Sequence, residues 1–145
     1  MPIIDPNRSV IALDERLERE TNPVFRHQLE EVRFHIATEV AGDIEPALAR
    51  LSDKASYTMF DNINPPITIE GVDAIRENFY KNIDAMMDVC LEFFITHLSV
   101  DDGAVITQGE QKCAMRGSYL ASQGIDADPD AFYLSEQNHL VIWPF

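Results

Sequence analysis

Positive charge is scarce in this chain. Eleven lysines and arginines stand against 25 aspartates and glutamates, a formal net charge of −14. Without a basic patch, neither nucleic acid nor an anionic membrane is an expected partner. Long hydrophobic runs are missing too: no stretch approaches the roughly 20 apolar residues of a membrane span. The opening MPIIDPNRSV has no signal-peptide apolar core, so a cytoplasmic location is expected. There are only two cysteines, Cys90 and Cys113. They fall in neighbouring predicted strands, where free buried thiols are expected in preference to a bridge. CxxC, HExxH and a glycine-rich phosphate loop are all absent, and no cofactor is expected.

Apolar residues make up 46% of the 145 positions, enough for one domain with its own core. Asp5-Pro6 predicts a helix start, and Val10, Leu13 and Leu17 keep helical spacing after it. Residues 1–21 read as an amphipathic arm available to a partner subunit, and 22–145 as the main domain. Asn22-Pro23 repeats the cap-plus-proline signal. Phe25, Leu29, Val32, Ile36 and Val40 then form a stripe that predicts a helix to about Ala41. Gly42 ends it, and Asp43 is the expected cap of a short helix in IEPALARL. Ala55 to Phe60 reads as a short strand, DNINPPIT as an irregular loop, and Val72, Ile75, Phe79 and Ile83 as another helical stripe.

Two long strands follow, from Val89 to Tyr119, with Asp102-Gly103 expected to supply positive-φ turn chemistry. Residues 121–130 are a polar loop. The last strand, AFYLSEQNHLVIWPF, alternates His139, Val141, Trp143 and Phe145 on one face with Leu140 and Ile142 on the other. Both faces are apolar, which predicts helices on one side and a second copy of the chain on the other. The strand stops in its most hydrophobic part, so a further strand, or a partner covering this end, is expected. The expected class is α+β, with helices on one face of a curved antiparallel sheet.

The run FHIATEVAGDIEPALARLSDKASYTMF, ten residues, then GVDAIRENFY resembles the SnoaL-like branch of the nuclear transport factor 2-like superfamily. That superfamily includes ketosteroid isomerase, scytalone dehydratase and limonene epoxide hydrolase. The resemblance rests on Ala41-Gly42-Asp43, Ser52-Asp53, Gly71 with Ala74-Ile75-Arg76, and Phe79-Tyr80, and covers roughly residues 30–145. It implies a cone-shaped fold with a central pocket, and it implies a final strand beyond Phe145. It does not carry over the isomerase chemistry. His35 occupies the position of the isomerase's oxyanion-donating tyrosine. The base position falls near Met59, with Asp61 two residues on, and the second acid falls near Val141, with His139 two residues earlier.

Two histidines from opposite walls, with Tyr57 and Asp61, are therefore the candidate catalytic set. A neutral imidazole suits proton transfer near neutrality. The competing role of His35 is a bond to Glu31 or Glu39 one turn away on an exposed helix face. For His139 the alternatives are a satisfied core histidine or a dimer contact. Tyr57 either donates to a ligand oxygen or is a core tyrosine, and Asp61 either caps a turn or serves the site. Met59, Phe79, Met86, His97, Met115 and Trp143 are candidate pocket lining, with plain core packing as the alternative. His35, His139 and Asp61 include metal-ligand types, but their spacing selects no metal. Two functions remain open. One is a cofactor-independent isomerase or dehydratase acting on a small hydrophobic or aromatic molecule. The other is a ligand-binding or accessory protein without turnover.

Overall fold

The long helix α2, Pro23–Val40, starts where Asn22 accepts a hydrogen bond from Val24 N at 2.9 Å with Pro23 in the first turn. It ends at Gly42, whose φ of 76° is the left-handed conformation that closes a helix. The computed structural model describes residues 3–60 and 64–145. A 3-10 turn, Pro6–Val10, leads into α1, Ile11–Arg19; α3 spans Glu45–Leu48. The hairpin β1, Ser56–Met59, and β2, Ile67–Glu70, comes next. A single helical rod then runs from Val72 to Met86: α4, Val72–Ile75, a π turn, Arg76–Tyr80, and α5, Lys81–Met86. Three long antiparallel strands complete the chain, β3 (Met87–Val100), β4 (Ala104–Arg116) and β5 (Phe132–Pro144), with α6, Gly117–Ser122, between the last two. The architecture is α+β, with a two-stranded sheet and a three-stranded one ordered β3-β4-β5. Among the described residues, no helix is long and apolar enough to cross a membrane.

The main core lies between one face of the larger sheet and two helices. Leu13 and Leu17 of α1 and Leu29, Val32 and Ile36 of α2 meet Leu91, Phe93, Ile95, Val105 and Cys113. The N-terminal segment therefore packs on its own chain, with Leu13 completely buried, rather than standing off as an arm. It also covers the edge of β3. Ser9 Oγ accepts from Phe93 N at 2.9 Å, and the Glu92 carboxylate accepts from Asp5 N at 2.7 Å and Arg8 at 2.8 Å. An edge strand capped in this way offers no free ladder there to another chain. A second, smaller core of Leu48, Ile75 and Tyr80 sits under the β1–β2 hairpin.

Several local expectations change. Part of the supposed irregular loop is strand β2, and Gly117 starts a helix where a continuing strand was expected. Ile44, not Asp43, precedes α3, with no side-chain cap. The β3–β4 turn uses no positive φ. Asp101 closes it by accepting from Gly103 N at 2.9 Å and Ala104 N at 3.0 Å, a carboxylate doing the work of a turn glycine. Both cysteines are free thiols, and burial pushes the Cys113 thiol up.

Candidate functional site

Four separate elements bring their side chains to one point beside the second core. α2 supplies His35, β1 supplies Tyr57, the π turn supplies Phe79 and Tyr80, and β5 supplies Trp143. On β1 the odd positions, Tyr57 and Met59, are half-buried while Ser56 and Thr58 are exposed. That alternation is the one a half-covered strand imposes. In the helical rod, Ile75 and Tyr80 are the two buried positions, five residues apart. Five is the interval of a π turn, in which one extra residue per turn re-aims the side chains beyond it. Trp143 is held by its indole N–H, which donates to the buried Thr107 Oγ1 at 3.0 Å.

The polar atoms form a closed triangle. His35 Nε2 lies 3.0 Å from the Tyr80 hydroxyl and 3.3 Å from the Tyr57 hydroxyl, and the two hydroxyls are 3.2 Å apart. Aromatic edges wall it in: Trp143 packs edge-on to His35 at 5.2 Å, and Phe79 packs edge-on to Tyr57 at 5.2 Å and Tyr80 at 4.9 Å. Tyr57 is the member of the triangle that keeps partial exposure.

Burial controls the protonation of every member. His35, 7% exposed, is pushed down to about 4, because desolvation disfavours the imidazolium. It is neutral at physiological pH. Desolvation raises Tyr57 to about 12, with the Glu39 charge adding to the effect, and it raises Tyr80 further, with Glu39 and then Tyr57 as additional causes. Glu39 sits one turn beyond His35 on α2. Its carboxyl is closely surrounded by protein, and desolvation raises it to about 7. Among the described residues no lysine, arginine or histidine pairs with it. The site is thus an uncharged imidazole, two phenols and a carboxyl poised near neutrality.

His35, Tyr57, Phe79 and Trp143 therefore converge, while the other candidates lie elsewhere. His139 faces the main core, where its ring stacks on Phe93 at 5.1 Å with an interplanar angle of 16°. Its Nδ1 is buried without a hydrogen-bond partner, and desolvation lowers its pKa. Four residues along β5, about 13 Å at strand rise, separate it from Trp143. No hydrogen bond or ring contact joins the two imidazoles that were expected to share a hollow. His97 is exposed, its Nδ1 3.4 Å from Thr96 Oγ1. Met86 and Met115 pack against the main core, and Met59 is half-buried at the end of β1. Asp61 lies outside the described residues. Two surface hollows, of about 450 and 190 Å³, are lined by Asp53–Ser56 with Glu70 and Gly71, and by strand residues around Lys112 and Glu136. Neither touches the triangle. The outer sheet face, expected to meet a second copy, carries Leu140 and Ile142 at 58% and 59% exposure. Among the described residues no group of three histidine, cysteine or carboxylate side chains is placed to hold a metal.

Two residues of the site were missed. Tyr80 was hidden by the π turn, because an α-helical period selects Phe79 and Ile83. In the sequence Glu39 reads only as a surface partner for His35. Its four-residue spacing from His35 was the available signal, and it required knowing that this face of α2 is covered. Comparison with protein-family models, with curated proteins and with solved structures finds no match to this chain.

Proposed function

We propose that the chain is a SnoaL-like protein of the nuclear transport factor 2-like superfamily that binds a small hydrophobic cyclic molecule through one oxygen atom. The oxygen is received by one hydroxyl of the Tyr57–Tyr80 pair. Support for the family reading comes from the order of helices, short hairpin, helical rod and long antiparallel strands, with the helices on one sheet face. The function rests on one observation: a triangle of imidazole and two phenols, enclosed by aromatic edges and containing no cation.

Proton counting shows what such a triangle offers. His35 is neutral, so it carries one ring proton. With that proton on Nε2, three hydrogens serve three polar atoms; two of them suffice to hold the group together, and one hydroxyl proton is left for a ligand oxygen. With the proton on Nδ1, both phenolic hydrogens are consumed internally. The site therefore binds an acceptor oxygen by selecting the Nε2–H tautomer. A ring-shaped ligand enters past the partly exposed Tyr57, displacing Phe79 or Trp143 from its edge-on position. In a site walled by rings, the same donor polarises a carbonyl, which suits cofactor-independent isomerase or dehydratase chemistry. The alternative is a protein that uses these contacts only to orient its ligand.

2-Naphthol, a flat aromatic ring with one hydroxyl, is a direct probe. Its fluorescence on titration into the full chain should saturate. Tyr57→Phe and Tyr80→Phe should each weaken binding by about 2- to 10-fold, the worth of one net hydrogen bond. His139→Phe, remote from the triangle, should leave it unchanged. Absent saturation, or tyrosine variants that bind as wild type does, would sink the reading.

A further inference from the structure

We propose that the free edge of β5 pairs with β5 of a second copy of this chain, antiparallel about a two-fold axis through Asn138. Two three-stranded sheets then become one continuous sheet. The contact joins edges rather than faces, and it stands apart from the reading of the triangle.

The two edges of the larger sheet are finished differently. On β3 the N-terminal turn covers the edge, with Ser9 on Phe93 N and Glu92 held by Asp5 and Arg8. The pairing of β3 with β4 is also interrupted by two register shifts, which bend a strand out of regular pairing. β5 pairs with β4 without interruption from Phe132 to Pro144. Among the described residues no strand pairs with its other side. β5 contains no lysine or arginine, and its one proline stands at its end. The usual guards of an edge, bulges and a covering segment, are found on β3.

Backbone direction fixes which groups are free. Phe145 N donates to Gly103 O at 2.9 Å, one step beyond the Pro144–Ala104 pair. Direction alternates along an antiparallel ladder, so the odd positions of β5 serve β4. The even positions, from Phe132 to Pro144, aim N–H and C=O outward, Pro144 with its C=O alone. Rotation about Asn138 sets even positions against even ones. Asn138 faces itself, Glu136 faces Leu140 of the second copy, and Leu134 faces Ile142. The outer faces of both sheets stay on one side, and about ten hydrogen bonds form along the ladder.

Side chains agree with the same register. Leu134 and Ile142, 48% and 59% exposed, meet on the outer face once on each side of the axis. On the inner face Tyr133 meets Trp143, the ring that packs on His35, so the second copy borders the triangle. The two Glu136 carboxylates fall about 13 Å apart along the strands, beyond the Debye length at physiological salt. This register alone pairs every residue from 132 to 144. The strand's 13 residues span about 43 Å, and pairing them buries roughly 1,000 Å² in all, the lower bound of a specific interface. Such a dimer is isologous and closes on itself.

Analytical ultracentrifugation of the full chain tests the pairing. A monomer–dimer equilibrium in the micromolar range is the expected result for an interface of this size. Leu134→Lys with Ile142→Lys sets lysine against lysine and should weaken association about 100-fold or more. Its melting temperature should match that of the wild-type monomer, because both positions are exposed. Leu134→Glu with Ile142→Lys should restore the dimer. The two positions lie about 26 Å apart along one strand, so only a second copy brings them together. Asn138→Cys should give a disulfide-linked dimer on a non-reducing gel, whereas wild type, with its cysteines on β3 and β4, should not. A wild type that sediments as a monomer at every concentration up to millimolar overturns the proposal. A dimer that the lysines break and the charge swap does not restore places the contact on the outer sheet face, and also overturns it. So does a dimer indifferent to both variants, or an Asn138→Cys chain that fails to link.

Discussion

Glu39 and Glu92 are both carboxylates withdrawn from solvent, Glu39 half-buried and Glu92 fully, and their partners differ. Glu92 on β3 is 1% exposed and receives a backbone N–H from Asp5 and the guanidinium of Arg8. It ties the N-terminal turn to the sheet edge. Glu39 on α2 has uncharged phenols and an imidazole around it, and desolvation alone shifts it. One carboxylate is buried with its countercharge and builds structure. The other is half-buried without one, and desolvation raises its carboxyl to about 7. The difference teaches that burial of an acid says little until its partners are counted.

Removing the countercharge of Glu92 should have the largest effect. Arg8→Met leaves a buried carboxylate uncompensated, and urea denaturation should show a loss of about 3 kcal/mol, the low end for such pairs because Arg8 is a third exposed. Adding Glu92→Leu to that variant should recover most of the loss, since an apolar pair tolerates burial where a lone charge does not.

At Glu39 the corresponding change works through pH and should be slightly smaller. The carboxyl titrates near 4.5 unfolded and about 7 folded. The folded state therefore binds the extra proton between these values, and the contribution is complete below 4.5 and lost as pH rises through 7. His35 runs the other way. Its folded value of about 4 lies below the ordinary 6.5, so its contribution is present above 6.5 and lost as pH falls through 4. Between about 4.5 and 6.5 the two slopes oppose and stability should be nearly flat. Glu39→Gln should unmask the acid-side slope of His35, and His35→Gln the alkaline-side slope of Glu39, each up to about 2–3 kcal/mol across its window. Denaturation midpoints of the two variants that track each other with pH would contradict this.

The smallest effect concerns the other imidazole. His139 keeps a buried Nδ1 unpaired while stacked on Phe93. His139→Phe preserves a stack and removes the orphan atom, so it should raise stability by about 1 kcal/mol. His35→Phe, which breaks two contacts to hydroxyls, should lower it. Thermal melts of the pair would show whether the two histidines differ as their partners do.

Helical stripes, the Asn22-Pro23 start, the Gly42 stop and the alternation along β5 were all legible, because each depends on neighbours within one or two turns. The inward face of Tyr57 followed from the same period-two rule. The common hollow for His35 and His139 did not survive, because strand register decides how far Trp143 and His139 lie from the end of α2. The Asp102-Gly103 turn failed for a chemical reason: the Asp101 side chain supplied the closing acceptor, so no left-handed glycine was needed.

By itself the sequence determined the long helix, the long strands, their apolar faces and the net acidic charge, since periodicity and charge count are properties of the local chain. Tertiary structure alone decided that Tyr80 turns inward through a π turn, that His35 meets two phenols from elements 22 and 45 residues away, and that Glu39 holds its proton near neutrality. These depend on which surfaces exclude water from one another, and no spacing along a chain records the dielectric a side chain will find when its neighbours close around it.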